Sequence, residues 1–374
     1  MWRGREEGLT LVEMLISLVL MSLVVLTFYS LIAVAVRGWS ALEGQMDVQQ
    51  QPRVALARVA NEVRQARDFV IGNGGRDLGL AKVTILTQDA SAGATTLAVE
   101  DASPLVVGMP LVILSLDRLE RGTVAAIAGS TVTLSSPLLR AHRRGEVVRR
   151  AGTTLSAGAV AGTSSFTVDD ATTVRGADLI AVGDEGPLSV TSVIGNLVTV
   201  ASPLSQSHPA GDVVQPLSVM FRCEGSCADP GVEVTRCTAG CTVAGNRAPL
   251  AELLAAPPGR TMFTAATSAL TLAASAGATQ ICPASVAGFA AEDRIRIGRE
   301  VHQTSDAVLP ERRMVTAIVA GCLVLDRGVT RSHPVGTSVR AGVVELNARA
   351  VLTNEALGGQ VQEVVVTTRA WLRN

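Results

Sequence analysis

Residues 14–36, MLISLVLMSLVVLTFYSLIAVAV, form an apolar run of 23 residues without a charged side chain. A helix of this length crosses the hydrocarbon core of a bilayer. Arg3 and Arg5 precede the run and favour a cytoplasmic N-terminus, although Glu6 and Glu7 weaken that signal. No second run of this length follows. The sequence therefore predicts a single-pass protein of the cytoplasmic membrane, with its C-terminal bulk outside the cytoplasm.

The polar residues before the apolar run separate three kinds of N-terminal segment. A secretory signal peptide has an apolar core of about 7–15 residues followed by a small-residue cleavage site, and neither feature is present before Arg37. A plain signal anchor fits the length. It leaves Glu13 unexplained, because a carboxylate in a membrane helix costs about 2.5–3.5 kcal/mol at the bilayer centre. The third alternative is a prepilin signal, in which a short polar leader ends in glycine.

The stretch GLTLVEMLISLVLMSLVV, which begins at Gly8, resembles the class III signal of type IV pilins and type II secretion pseudopilins. In that family a membrane aspartyl peptidase cleaves after the glycine and methylates the new amine. The resemblance implies a leader over residues 1–8 and N-methylation of Leu9, where the family usually has phenylalanine. It also implies that Glu13 pairs with a positive N-terminal amine, its own or a neighbouring subunit's, during assembly.

A second apolar pattern continues the helix beyond the membrane. Its small apolar residues recur at roughly helical spacing, which predicts a half-buried amphipathic helix with Pro52 kinking or interrupting it. The predicted helix covers residues 9–70. Its segment QQQPRVALARVANEVRQAR resembles the same region of PilW-type minor pilins and J-type pseudopilins. The residues assigned to the apolar face are Val54, Ala57, Val59, Ala60, Val63 and Ala66.

Three stretches of the chain align with one another without a gap in their second halves. They begin VAAIAGSTVTL, VTSVIGNLVTV and VTAIVAGCLVL, and each alternates apolar with small polar residues around a two-residue turn. The sequence predicts three small all-β modules of about five short strands each. Their ranges are 81–150, 151–215 and 273–341.

The alignment bears on the histidines. His142, His208 and His333 occupy the same repeat position, and each is followed three residues later by glycine. A catalytic histidine does not normally recur once per repeat, so these three are predicted to be turn or strand-edge residues. The fourth, His302, has no evident partner.

The segments 216–272 and 342–374 together resemble the β core of the PilW-type and J-type proteins, with the motifs APLAELL and LRN. The predicted fold class is α+β: a long N-terminal pilin helix, membrane-spanning over about 14–36, and an antiparallel pilin-like core. The β modules are predicted to be insertions in that frame.

The six cysteines divide into two groups. Only the third repeat contains Cys282 and Cys322, so these two are predicted to form a disulfide. The others are expected to form cross-strand disulfides in an oxidising compartment, with zinc as the alternative. They occur in two C-x3-C pairs: Cys223, Cys227, Cys237 and Cys241.

Charge and motifs argue against several other functions. The net charge is −1, and the chain has no phosphate-binding loop, H-E-x-x-H or G-x-S-x-G motif. The sequence predicts no enzyme, no catalytic residue, no metal and no cofactor, and leaves calcium binding by its acidic turns undecided. A basic strip that includes Arg143 and Arg144 carries a weak hypothesis of DNA uptake.

These features predict a minor pilin or pseudopilin near the tip of a type IV pilus-like filament. Its expected partners are the prepilin peptidase/methyltransferase and other pilins, at the pilus, cell surface or periplasm, in support of pilus assembly, adhesion or DNA uptake. The alternatives are a type II secretion pseudopilin and, in another class, a single-span anchored surface protein whose β repeats bind a ligand.

Overall fold

A computed structural model describes residues 11–115, 119–224, 227, 232–238, 247–258, 260–298, 301–302, 307–308, 311–354 and 360–372. One long helix and a largely antiparallel β body confirm the α+β class. Helix α1, Leu11–Gln65, contains 55 residues and is about 80 Å long at the usual rise. Pro52 lies inside it, so the predicted interruption was wrong. Proline lacks the backbone N–H that would donate a hydrogen bond within the helix, and packing of the neighbouring turns keeps the helix continuous at this position.

The buried face of α1 agrees with the predicted one in four of six residues. Val59, Ala60 and Val63, with Ala66 just after the helix, are buried as predicted, whereas Val54 and Ala57 are exposed. The buried stripe has the spacing i, i+3, i+4, i+7, i+8 of a one-sided amphipathic helix. Five buried side chains form this face: Ala55, Leu56, Val59, Ala60 and Val63.

The chain leaves the helix earlier than predicted. Helix α1 ends at Gln65, and strand β1, Ala66–Gly72, turns through a 3-10 turn into β2, Asp77–Lys82. The predicted helix end at residue 70 was therefore wrong by five residues. Phe69 packs into the core beside α1, and pairing with β2 satisfies the backbone of this aromatic and β-branched segment.

The next twelve strands form two antiparallel sheets of six strands each, which we call module 1 and module 2. Module 1 contains β3 Thr84–Ile85, β4 Thr96–Ala98, β5 Pro110–Leu114, β6 Leu119–Ala128, β7 Thr131–Leu134 and β8 Val147–Arg150. Module 2 contains β9 Thr153–Thr154, β10 Ser165–Thr167, β11 Leu179–Val182, β12 Glu185–Ile194, β13 Leu197–Val200 and β14 Val213–Leu217. A second 3-10 turn covers Ala171–Thr173.

A third six-stranded sheet, module 3, follows after four strands of a different sheet. Those strands are β15 Val219–Cys223, β16 Val232–Cys237 and β17 Arg247–Ala255, with the short β18 Phe263–Thr264 after them. Module 3 contains β19 Thr267–Ala269, β20 Gln280–Ile281, β21 Arg294–Ile297, β24 Glu311–Val319, β25 Cys322–Leu325 and β26 Ser338–Ala341, with a separate ribbon of β22 Val301–His302 and β23 Ala307–Val308. Module 3 begins at Thr267, before the predicted residue 273.

The three modules have one strand order. It is β3-β8-β5-β6-β7-β4 in module 1, β9-β14-β11-β12-β13-β10 in module 2 and β19-β26-β21-β24-β25-β20 in module 3. Each has six strands rather than about five. Two-residue turns join β6 to β7, β12 to β13 and β24 to β25, as predicted. Each module has its own apolar core.

The fourth large sheet, which we call the docking sheet, carries the helix. Its last strands are β27 Val343–Asn354 and β28 Gln360–Trp371, which pair as an antiparallel hairpin. The order is β1-β2-β15-β16-β17-β27-β18, with β28 on β27. Strands from both sides of module 3 thus lie in one sheet, and α1 packs its buried stripe against it.

The modules contact the docking sheet and one another closely. A Cβ at Gly72 of β1 would lie 2.0 Å from the carbonyl oxygen of Gly186 in module 2, so only glycine permits this approach. Arg150 of module 1 contacts Asp178 of module 2 at 2.7 Å, and Arg340 of module 3 contacts Asp184 of module 2 at 2.6 Å. Arginine–aspartate ion pairs therefore join module 2 to modules 1 and 3.

Candidate functional site: the N-terminal helix and its attachment

The first half of α1 is apolar and uncovered. Among the described residues, Met14–Val36 is the part of α1 that is long and apolar enough to span a membrane. The most apolar part of this segment is not buried within the chain. The hydroxyl groups of Ser22, Thr27 and Ser30 donate to backbone carbonyls within one turn, so they add little unsatisfied polarity. Such a surface requires lipid or other apolar helices around it.

The second half of α1 is held by a charged cluster as well as by its apolar stripe. Glu62 forms an ion pair with Lys82, the chain's one lysine, and its Oε1 lies 2.9 Å from Arg236 Nη2. Lys82 also donates to Gln65 at 3.1 Å. Lys82 and Arg236 lie on β2 and β16. The helix is therefore fixed to two strands of the docking sheet by one carboxylate.

We expect Glu62→Ala to lower the free energy of unfolding by about 2 kcal/mol, between the usual values for exposed and for buried ion pairs. The reason is that Lys82 and Arg236 would lose their shared partner in a partly buried position. Thermal unfolding of the detergent-solubilised full chain measures this. Arg58→Ala, at an exposed position of the same helix, is the control; equal effects of the two substitutions would contradict the attachment role.

A second ion pair stabilises the docking sheet beneath the helix. Arg222 donates to both oxygens of buried Asp77, at 3.0 and 2.9 Å. This hydrogen bonding raises the pKa of Arg222 above its usual value despite its partial burial. The bidentate pair fixes β15 against β2.

The structure describes the predicted signal residues unevenly. Gly8 and Leu9 lie outside the described residues. Glu13 lies in the first turn of α1, next to the start of the apolar run. Position 13 is therefore in the end of α1 that is opposite to the end attached to the docking sheet.

The cysteines that the structure describes form disulfides. Cys282 and Cys322 are bonded, with sulfur atoms 2.03 Å apart, and join the segment after β20 to β25 of module 3. Cys223 bonds to Cys227 within one C-x3-C pair, so the predicted cross-strand pairing was wrong for it. Cys237 is also disulfide-bonded, and Cys241 lies outside the described residues. A zinc site would require free thiolates, which these bonded cysteines do not offer.

The repeat histidines have partners that the sequence reasoning missed. In module 1, buried His142 contacts Glu120 at 2.9 Å and Glu146 at 2.7 Å. In module 2, buried His208 contacts Glu185 and Asp212, each at 2.9 Å. The imidazole is thus held between two carboxylates and joins the last loop of the module to its long strand. An acid four residues after His142 and His208 was the available signal.

The same arrangement is weaker in module 3. His333 Nε2 lies 3.4 Å from Glu311 Oε1, and Thr337 occupies the place of the second acid. Glu311 instead accepts hydrogen bonds from Thr330 and Arg331. All three modules therefore use a buried glutamate to hold this loop.

Several of these carboxyl groups have depressed pKa values. Burial raises the pKa of Glu146, but hydrogen bonds from His142, Ser115 and the Arg143 backbone more than offset it. Burial likewise raises the pKa of Glu185 and Glu311, and donors from the loops that they hold lower both below the usual value. The ionised carboxylate is the form that stabilises each module.

We expect the modules to lose stability in acid. A carboxyl group with a depressed folded pKa contributes stability above its unfolded pKa, about 4.3 for glutamate, and loses it as pH falls through the folded value. Melting temperature should be steady from pH 7 to about 5 and fall below that. Glu185→Gln should reduce this acid dependence, whereas Glu292→Gln, at an exposed position, should not. Equal pH profiles for both variants would contradict this explanation.

The acidic turns and the basic strip were the other candidate sites in the sequence. Asp101 and Asp170 accept hydrogen bonds from residues two positions later, which is a turn geometry. Among the described residues no group of three or more His, Cys, Asp or Glu side chains could hold a metal ion. The basic strip that includes Arg143 and Arg144 ends with Arg149 and Arg150. Arg149 is buried and Arg150 is paired with Asp178, so the strip is not a continuous surface.

Comparison with known proteins agrees with the N-terminal geometry. Residues 3–29 match the family model described as the prokaryotic N-terminal methylation motif. No curated protein matches the chain. The chain thus carries a prepilin-type signal of the pilin and pseudopilin kind, which implies processing by a prepilin peptidase and assembly with other pilins. The signal and the single apolar helix fit a membrane-anchored surface or periplasmic protein.

Proposed function

We propose that this chain is a minor pilin of the PilW type, or the equivalent J-type pseudopilin, that supports filament assembly and has no catalytic role. The observation that carries the proposal is the continuity of the methylation motif at residues 3–29 with one 55-residue helix. The uncovered half of that helix suits a bundle of pilin helices, and its other half is attached to a β body.

The bulk of the β body supports a position near the tip. Modules 1 and 2 are inserted between β2 and β15, and module 3 between β18 and β27. Three extra sheets beside the docking sheet would crowd neighbours in a regular shaft, whereas a tip subunit has free space. Adhesion or initiation of assembly are the tasks that suit such a position.

Shearing of filaments from intact cells tests this proposal. We expect the chain in the sheared filament fraction, at far lower abundance than the main subunit, and absent from that fraction when the prepilin peptidase gene is deleted. Retention of the entire pool in the membrane of peptidase-containing cells would contradict filament membership. It would favour the anchored surface protein instead.

A further inference from the structure

Module 3 lacks the second acid of the histidine arrangement. In module 1, His142 Nδ1 lies 2.7 Å from Glu146, and in module 2, His208 Nδ1 lies 2.9 Å from Asp212. Thr337 holds the equivalent repeat position in module 3. Two modules therefore show which group the imidazole binds at this nitrogen, and the third module has no acid at that position.

His333 is buried without the hydrogen bonds that its two equivalents make. It is 6% exposed. Its Nε2 atom has no hydrogen-bond partner among the described residues and lies 3.4 Å from Glu311 Oε1. The Thr337 hydroxyl group donates to the Pro334 carbonyl oxygen at 2.7 Å rather than binding the ring. A buried polar group without a partner is destabilising, so an acceptor placed on this ring would stabilise module 3.

The space that the second acid fills in module 2 is open in module 3. In module 2, a Cβ added to Gly183 would lie 3.1 Å from Asp212 Oδ2. Gly298 holds the same repeat position in module 3, and a Cβ added there would meet Thr337 Cγ2 at 3.8 Å and the His333 ring at 3.9 Å. A cavity that these three residues help to line lies at this point.

The cavity has the size and the polarity for a small carboxylate ligand. Its volume is about 490 Å³, and about 300–1,000 Å³ is usual for small-molecule sites. Arg331 also contributes to the lining, but it contacts Glu311 at 3.6 Å. The imidazole of His333 is therefore the group that an entering carboxylate would bind. The side chains with hydroxyl groups that line the cavity are Ser332, Thr337 and Ser338.

We propose that this cavity binds a carboxylate ligand, one oxygen of which accepts a hydrogen bond from His333 Nδ1. The ligand occupies the place that Glu146 and Asp212 fill in the other two modules. Its carboxylate comes either from a free organic acid or from an acidic side chain of another protein, and the chemistry of recognition is the same for both. The site is independent of the proposed role in filament assembly, because module 3 lies outside the helix and the docking sheet.

Titration of the full chain in detergent with acetate, at constant pH and ionic strength, tests this site. NMR of isotope-labelled histidine rings follows His333 beside its two equivalents, and the His333→Gln variant assigns its signal. We expect the His333 signal to shift saturably. The signals of His142 and His208 should not shift, because an acid already lies at Nδ1 of each. N-acetylaspartate amide distinguishes the two sources: tighter binding than acetate identifies a protein side chain, and weaker binding identifies a free acid.

Thr337→Asp restores an acid four residues after the histidine, as in module 2, and fills the site from within the chain. It should weaken acetate binding at least about 10-fold, the change expected when a charge-assisted hydrogen bond is lost. Thr279→Asp, at an exposed position of module 3 outside the cavity lining, is the matched control and should bind as the native chain does. Unchanged signals of His142 and His208 show that both variants fold. Absence of a saturable shift at His333 with either ligand, equal shifts at all three histidines, or equal affinity in the two variants would overturn the proposal.

Discussion

Glu13→Ala is expected to remove the chain from assembled filaments, by 10-fold or more, while cleavage after Gly8 continues. Glu13 directly precedes the apolar run in the sequence, where a charge is costly unless a partner of opposite charge pairs with it. In the proposed filament, the new amine of Leu9 after cleavage is four residues away along the chain, and a neighbouring subunit would supply a second amine. Immunoblots of sheared filaments and of whole membranes measure assembly and cleavage separately.

Two further variants separate charge from shape at this position. Glu13→Gln keeps the length of the side chain and should assemble as poorly as alanine, because the amide cannot pair with an amine through charge. Glu13→Asp should recover part of the assembly. Normal assembly of the glutamine variant would contradict a charge-pairing role for Glu13.

Removal of the Cys282–Cys322 disulfide is expected to destabilise module 3 by about 4 kcal/mol at most, the loop-entropy value for its separation of 40 residues. Loss of this cross-link should therefore lower the temperature at which module 3 unfolds. Thermal unfolding of the Cys282→Ala/Cys322→Ala variant, in detergent and without reductant, measures the effect.

The Cys223–Cys227 pair is the matched control. Its separation is 4 residues, for which the same relation gives about 2 kcal/mol. The variant Cys223→Ala/Cys227→Ala should therefore lower the unfolding temperature by less. An equal or larger effect from this short loop would contradict the loop-length explanation.

The elements that the sequence predicted correctly are those that local pattern specifies. The apolar run of α1 can be recognised from its length and composition alone. The two-residue turns can be recognised from a glycine or similar residue between two alternating segments. The helix end was wrong because Ala66–Gly72 pairs with β2, a contact that no local pattern reveals. Two of the six residues assigned to the buried face, Val54 and Ala57, are exposed, because small apolar residues also occupy the exposed side of the helix.

The missed site features depend on contacts between distant strands. His142 and Glu120 are 22 residues apart, and only the folded module brings them to 2.9 Å. In module 2 the equivalent glutamate, Glu185, is shifted by one residue in the alignment, which hid the recurrence. The Cys282–Cys322 pair was accessible to comparison of the repeats, because neither cysteine has an equivalent in the other two.

The uncovered apolar half of α1 and the attached half have different roles in this account. Glu62 and the buried stripe fix one end to the docking sheet, so a force or displacement at the membrane end is transmitted to the β body. In the proposed filament, the modules occupy space beside that body, which favours a subunit position with few neighbours.

The mass of the N-terminal peptide of the membrane-extracted chain tests the central claim most directly. Processing by a prepilin peptidase predicts a mature N-terminus at N-methylated Leu9, and an unprocessed Met1 terminus in cells without the peptidase. An intact Met1 in peptidase-containing cells would contradict the account and would identify α1 as a plain membrane anchor.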